Sequence, residues 1–382
     1  MWIQLKAAML FSGALGLWTC GPADSGRGQA GHNSTGQSQQ ASSSYEVGGR
    51  PRAVAVADLN GDEAADVAVA NSADGTVSIL LGAGGGRLRP AQGSPFPAGQ
   101  EPSDVDAADF DRDGDADLVF ANHETSRVTL LLNDGHARFA ASPGSPFETG
   151  ARPHSHGLAS ADFDGDGWFD VAVDSSDTKE VRVLRGGPRG FGAAFAVPSV
   201  AMPYFRLGAA DVDGDGRAEI LVPGHDDATV RFVERRGEGL VLAPQNVRLP
   251  DKPWMVVGDD LNGDRRTDLV VVHSDSVGVW LAGREGFRQA QGSPFPVRGA
   301  TEAATGDLDG DGLADVAVGP WEGDEVTVLA GRGLTARKVR ACARPVGLAV
   351  ADLNGDGRGE IIAACANANR LAVVGLPAER RP

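Results

Sequence analysis

The sequence lacks the short signatures that would assign it a reaction. It has no Gly-x-Ser-x-Gly elbow, no His-Glu-x-x-His, no phosphate-binding Gly-rich loop ending in Gly-Lys, and no cysteine placed beside a histidine as a nucleophile. Basic charge is also scarce: 35 Lys and Arg face 52 Asp and Glu, for a net charge of -17. That balance excludes nucleic acid as a partner, because phosphates demand a basic surface. Beyond its first twenty residues no apolar run is long enough to cross a bilayer. Cysteine is limited to three residues, Cys20, Cys342 and Cys365.

What the sequence has instead is repetition. The stretch DFDGDGWFD, residues 162–170, belongs to a nine-residue pattern that occurs seven times, with Asp first, Asp or Asn third, Asp fifth and Asp or Glu ninth. The oxygen-bearing sets are Asp58, Asn60, Asp62, Asp66; then Asp109, Asp111, Asp113, Asp117; then Asp162, Asp164, Asp166, Asp170; then Asp211, Asp213, Asp215, Glu219. The last three are Asp260, Asn262, Asp264, Asp268; Asp307, Asp309, Asp311, Asp315; and Asp352, Asn354, Asp356, Glu360. A chain curling round one hard cation points every second side chain inward, and Gly at positions four and six supplies the curvature. An EF-hand shares this opening but closes with Glu at position twelve between helices. Here the flanks, such as AVAVADLN before and ADVAVAN after, are apolar runs of strand type. Without cations the clustered carboxylates would repel one another; seven divalent ions would cancel most of the net charge. Structural metal, not proton chemistry, is the reading for these acids.

The 382 residues exceed what one ordinary core sustains. The motifs start 51, 53, 49, 49, 47 and 45 residues apart, and each is followed by signals for further short strands. Four strands per unit at this period predict an all-β, seven-bladed β-propeller. Kelch and WD40 signatures are absent.

At AVAVADLNGDEAADVAVAN, and at the GSPF tetrapeptides beginning at Gly93, Gly144 and Gly292, the chain resembles the FG-GAP/VCBS repeat family, which includes the integrin alpha-chain head. The resemblance implies up to seven Ca2+ ions, one in each loop between the first two strands of a blade. Arg112 at position four, and Glu63 and Arg265 at position six, depart from the usual Gly. Together with Asn60 and Asn262 they mark the first and fifth sites as the weakest.

Residues 1–20 read as an export signal, with Lys6 before an apolar run from Ala7 to Trp18. Leu17-Trp18-Thr19-Cys20 resembles a bacterial lipoprotein box, which would lipidate Cys20; Trp18 and Thr19 are larger than usual there, and cleavage after Ala23 is the alternative. Residues 21–44 read as a flexible tether, and residues 45–377 as the propeller. The expected locations are the outer membrane or cell surface, or secretion or the periplasm. Only two strands follow the seventh motif, whereas Tyr45 lies 13 residues before Asp58, as Phe96 lies 13 before Asp109. The segment around Ser42 to Val47 is therefore expected to complete the last blade and close the ring. Cys342 and Cys365 fall near one register of that blade's first hairpin, so a disulfide is expected in an exported protein.

Two functions remain. One is a monomeric binding module taking a protein or glycan on the face opposite the calcium loops; the other is a calcium-dependent propeller enzyme, such as a polysaccharide lyase. Connections on that opposite face carry His123, His154, His156, Tyr204, Phe205, His225, Trp254, His273 and Trp321. Aromatic and imidazole groups suit interfaces and sugar sites, though some could serve only to fill the channel. His123, His154 and His156 could also form a transition-metal or acid/base site, or simply a polar loop contact.

Overall fold

The apolar runs around each acidic loop pair as hairpins, and this one choice builds the whole architecture. A computed structural model describes residues 42–175 and 178–377. The signal-like segment, Cys20 and most of the 21–44 tether lie outside the described residues. In blade one, Pro51–Ala57 pairs with Asp66–Asn71, which pairs with Thr76–Gly82, which pairs with Leu88–Pro90, all antiparallel. Seven such sheets are present, and their first strands are Pro51–Ala57, Pro102–Ala108, Leu158–Ala161, Gly208–Ala210, Met255–Asp259, Ala300–Gly306 and Pro345–Ala351. The chain is thus an all-β, seven-bladed propeller of four-stranded sheets, with no α-helix among the described residues.

The second strand of every blade is buried along its entire length. Its Val, Ala, Ile and Leu side chains face a neighbouring blade on each side, which is why these segments read as continuous apolar runs and not as alternation. Seven apolar clusters result, each shared by two adjacent blades, including one that joins Val67, Val69 and Leu80 of blade one to Ile362, Ala364 and Leu371 of blade seven. Burying one Val or Leu this completely stabilises by about 1.5–3 kcal/mol.

Blade seven takes its fourth strand from the other end of the chain. Ser42–Glu46 pairs antiparallel with Arg370–Val374, from Ser42 opposite Val374 to Glu46 opposite Arg370. The strand lies within the segment around Ser42 to Val47 expected from sequence and overlaps the end of the 21–44 tether. Cys342 and Cys365 form a disulfide with Cα atoms 5.8 Å apart. It ties the entry of blade seven's first strand to the end of its second.

The GSPF segments have a consistent local role. Ser94, Ser145 and Ser293 accept hydrogen bonds through Oγ from the third-strand N–H groups of Ile79, Leu130 and Val279, at 2.9, 3.0 and 2.8 Å. Phe96, Phe147 and Phe295 then add a short extra strand against that same third strand.

Candidate functional site

Two opposite faces carry the candidate chemistry, and the acidic loops occupy one of them. Positions four and six have positive φ in all seven loops, for example 73° at Gly165 and 88° at Gly167. Only glycine adopts this region without a steric penalty, so Arg112 (64°), Glu63 (65°) and Arg265 (65°) hold it under strain. The bent backbone turns its N–H groups onto the first carboxylate: Asp162 accepts from Gly165 at 2.7 Å and from Gly167 at 2.8 Å. The ninth residue opens the buried second strand, so its carboxylate is buried too. Asp117 accepts N–H groups from Phe110 at 3.0 Å and Asn133 at 2.8 Å, tying the loop to the third strand. Burial, with neighbouring carboxylates adding to it, pushes Asp66, Asp268 and Asp315 up to about 6 and Asp117, Asp170 and Glu219 to about 7.

In the loops starting at Asp109, Asp162 and Asp211, the first, third and ninth side chains bring oxygens within 4.8 Å of one another. These sets are hard, anionic and partly desolvated, which suits a divalent cation. The fifth carboxylate is engaged elsewhere: Asp166 and Asp215 accept the N–H of the residue two positions on, at 2.8 and 2.9 Å. The Asn-containing loops differ. Asn60 Nδ2 donates to Asp66 at 3.2 Å, Asn262 Nδ2 donates to Asp268 at 2.8 Å, and Asn354 donates to Glu360. In each of these loops the third side chain thus bonds one oxygen of the ninth carboxylate. The seventh loop shares this bond with the first and fifth.

Adjacent loops are also pinned together. Arg112 donates to the carbonyls of Gly167 and Asp166 at 2.8 and 3.1 Å, with its guanidinium 4.4 Å from the Trp168 ring centre. Arg358 does the same to Asp309, at 3.0 and 2.7 Å.

On the opposite face the second-to-third-strand loops and the entries to first strands meet. The rings of His123, His154 and His156 lie with centroids 4.1–5.3 Å apart. His156 continues to Tyr204 at 4.8 Å, Tyr204 to His225 at 5.0 Å and Trp254 at 5.3 Å, and His225 to Trp254 at 5.1 Å. Phe205 flanks this ladder, 5.6 Å from His156 and 6.1 Å from Trp254. The sequence therefore placed seven of its nine face residues in one contiguous run across blades two to five. Trp321 stands apart, its ring under the Arg344 guanidinium at 4.0 Å. His273 corrects the expectation: it is fully buried, its Nδ1 3.1 Å from the Lys252 carbonyl oxygen and its ring against Trp280. The loop after blade five's second strand is too short to lift it clear, so it belongs to the core.

Three arginines on this face were not anticipated. Buried Arg206, entering blade four, pairs with Asp104 of blade two at 3.2 Å and with Glu302 of blade six. Residues of three non-adjacent blades can meet only on the propeller axis, so this triad plugs the channel. Burial works against the Arg206 charge, but Asp104 and Glu302 outweigh it and raise its pKa. Arg52 lies beside the plug and is lowered to about 10, by burial first and then by Arg206, Arg50 and Arg344. Between Arg52, Ser103, His156, Phe205, Glu302 and Trp321 the remaining cleft has a volume near 10 Å³, room for little more than a water molecule. The signal that could have revealed the plug is the acidic residues in the first strands PSDVDAA and ATEAATG, where other blades carry small apolar ones.

A sequence profile of the FG-GAP-like repeat matches residues 58–120, 109–173 and 260–318. Each match begins at the first Asp of an acidic loop and runs through the strand after the next one. The chain carries FG-GAP-like repeats. No curated protein matches it. Among solved structures, this FG-GAP-like propeller is similar to BBS1N in a complex with ARL6DN: 14% identity and a TM-score of 0.60, over 88% of this chain and 95% of that one. It is also similar to virginiamycin B lyase from Staphylococcus aureus, at 10% identity and a TM-score of 0.58, over 89% of this chain and 100% of that one. A catalytically inactive form of that lyase with quinupristin gives 9% identity and the same TM-score of 0.58 over the same shares of the two chains. At such identities the likeness is one of fold alone.

Proposed function

We propose that this FG-GAP-like propeller is an exported, calcium-stapled binding module that takes a protein or glycan ligand on the face carrying the aromatic ladder. The observation that carries this reading is the run from His123 through buried His156 and Tyr204 to Trp254, where polar-tipped rings, the other three half-buried, form one patch at the mouth of a filled channel. With so little free volume on the axis, a ligand is held across the surface and not swallowed. Calcium in the loops starting at Asp109, Asp162, Asp211 and Asp307 would hold the hairpin tips closed while leaving the opposite face untouched. The disulfide supports export, since such bonds persist in oxidising compartments; Cys20 would then either anchor the chain by a lipid or be removed with the signal. The same fold is seen with a protein partner in the BBS1N–ARL6DN complex, which supports a protein ligand.

Truncating a well-buried aromatic anchor typically costs more than about 2 kcal/mol in binding. With a ligand captured from a protein or glycan array, Trp254→Ala and Tyr204→Ala are expected to weaken binding at least about thirtyfold while calcium content and melting temperature stay as in the parent. Binding that is lost only on substituting Asp164 or Asp213 would place the ligand on the calcium face and reject this reading. A lyase-fold neighbour keeps an enzyme as the second reading, in which buried His156, 3.2 Å from Asp174, would serve as the base. Turnover of a polysaccharide panel that disappears in His156→Ala would favour it.

A further inference from the structure

We infer that His123, His154 and His156 form a binding site for one divalent transition-metal ion of the zinc class. This site is separate from the calcium loops and shares His123 and His156 with one end of the aromatic ladder. The three imidazoles offer nitrogens that all lie within 4.8 Å of one another. Around an ion with metal–nitrogen bonds of about 2.1 Å, tetrahedral ligands stand roughly 3.4 Å apart, a separation that small rotamer changes reach from here. Two loops of different blades supply the ligands. They are fixed to each other by the His154 N–H donating to the His123 carbonyl at 2.6 Å and by Ser103 Oγ donating to the Ser155 carbonyl at 3.1 Å.

The second set of observations concerns which nitrogen faces the ion. His156 Nδ1 lies 3.2 Å from Asp174 Oδ2, and His123 Nδ1 lies 2.8 Å from Glu124 Oε1 and 3.8 Å from Glu101 Oε2. A carboxylate can only accept, so in each ring Nδ1 is the donor and Nε2 is the nitrogen left to ligate a metal. A carboxylate behind a histidine, fixing the tautomer and raising its basicity, is the usual outer arrangement of a metal-bound imidazole. Asp174 is itself locked, accepting the His156 and Gly157 N–H groups at 2.8 and 3.3 Å. His154 is exposed and holds a φ of 102°, a region a non-glycine residue occupies only when its surroundings impose it. That conformation turns the third imidazole onto the other two. Nitrogen donors disfavour calcium and suit zinc, copper or nickel. The exposed side beside His154 leaves a fourth position for water or a ligand donor.

The test uses the full chain saturated with calcium, so that the acidic loops do not compete, and zinc as the probe. Equilibrium dialysis at micromolar free zinc is expected to find one ion per chain. His154→Ala, at an exposed position, should weaken binding more than tenfold, and His123→Ala/His154→Ala should abolish it. Glu124→Ala should cost about tenfold through the orientation of His123. Cobalt in place of zinc should give a visible absorption band in the parent and none in the double variant. Calcium content and melting temperature serve as controls for folding. No retained zinc in the parent, or equal zinc in the parent and the folded double variant, overturns the site.

Discussion

At the residue scale, the loops show how strictly backbone geometry dictates side-chain identity. Positions four and six are left-handed in every copy, so the glycines there follow from conformation and not from contact with an ion. Where Glu63 and Arg265 replace glycine, the left-handed region costs about 1–2 kcal/mol each, partly offset by the smaller unfolded-state entropy of a non-glycine residue. Glu63→Gly and Arg265→Gly are therefore expected to raise stability by about 0.5–1 kcal/mol each, measured by urea unfolding. An unchanged or lower midpoint would show that the side chains make compensating contacts. Arg112 is the contrasting case, because its guanidinium holds the neighbouring loop, and glycine there should destabilise. Residue-scale legibility was uneven for the same reason. Oxygen spacing exposed all seven loops, but that each Asn bonds its own ninth carboxylate rests on a hydrogen bond that spacing does not encode. His273 read like the other face histidines because chain position places a residue at a face without fixing whether its side chain turns outward.

At the element scale, the acidic hairpin is built with a conflict that a cation would relieve. The ninth carboxylate must be buried to begin the second strand, and burial resists its ionisation. Its folded pKa of about 6 to 7 stands above the ordinary carboxylate value near 4. Between those values the ion-free native state holds protons that the unfolded chain releases, so stability falls as pH rises through that window. In EDTA the melting temperature is expected to drop between pH 5 and pH 8. In millimolar calcium it should be higher throughout, with the drop suppressed, because the ion binds native loops alone and takes the proton's place. Identical melts with and without calcium at pH 8, with no bound metal by elemental analysis, would remove calcium from the folded state. Strand positions were legible here because each loop marks the end of a blade's first strand and the start of its second. Fourth strands were not: they range from Leu88–Pro90 to Gly239–Arg248 and pair on one side only, so little in their pattern is constrained.

At the scale of the whole molecule, two devices hold the ring, and they differ in how visible they were in advance. The axial plug was marked only by the acids in two first strands, since Asp104, Arg206 and Glu302 are each about a hundred residues apart in sequence and come from alternate blades. Arg206→Met should cost about 3–5 kcal/mol, because it leaves two buried carboxylates facing each other. Adding Glu302→Gln and Asp104→Asn should recover part of that loss in denaturant unfolding. The clasp was legible, because counting strands from the last motif left one missing. Ser42–Glu46 supplies it, and Tyr45 also accepts the Leu88 N–H through its hydroxyl at 3.1 Å, so this strand touches both blade seven and blade one. Beyond the strand, Val47 donates its N–H to the Asn369 carbonyl, and Arg50 to the Asn369 side chain at 2.9 Å. Removing the strand would bare the backbone groups of Arg370–Val374, an unpaired edge of the kind that recruits other chains. Deletion of residues 1–41 is expected to leave a monomer with an unchanged melt, because it removes none of these contacts. Deletion through Gly49 should lower the melting temperature and produce oligomers on size exclusion. If both truncations melt together and stay monomeric, the N-terminal strand decorates the ring without closing it.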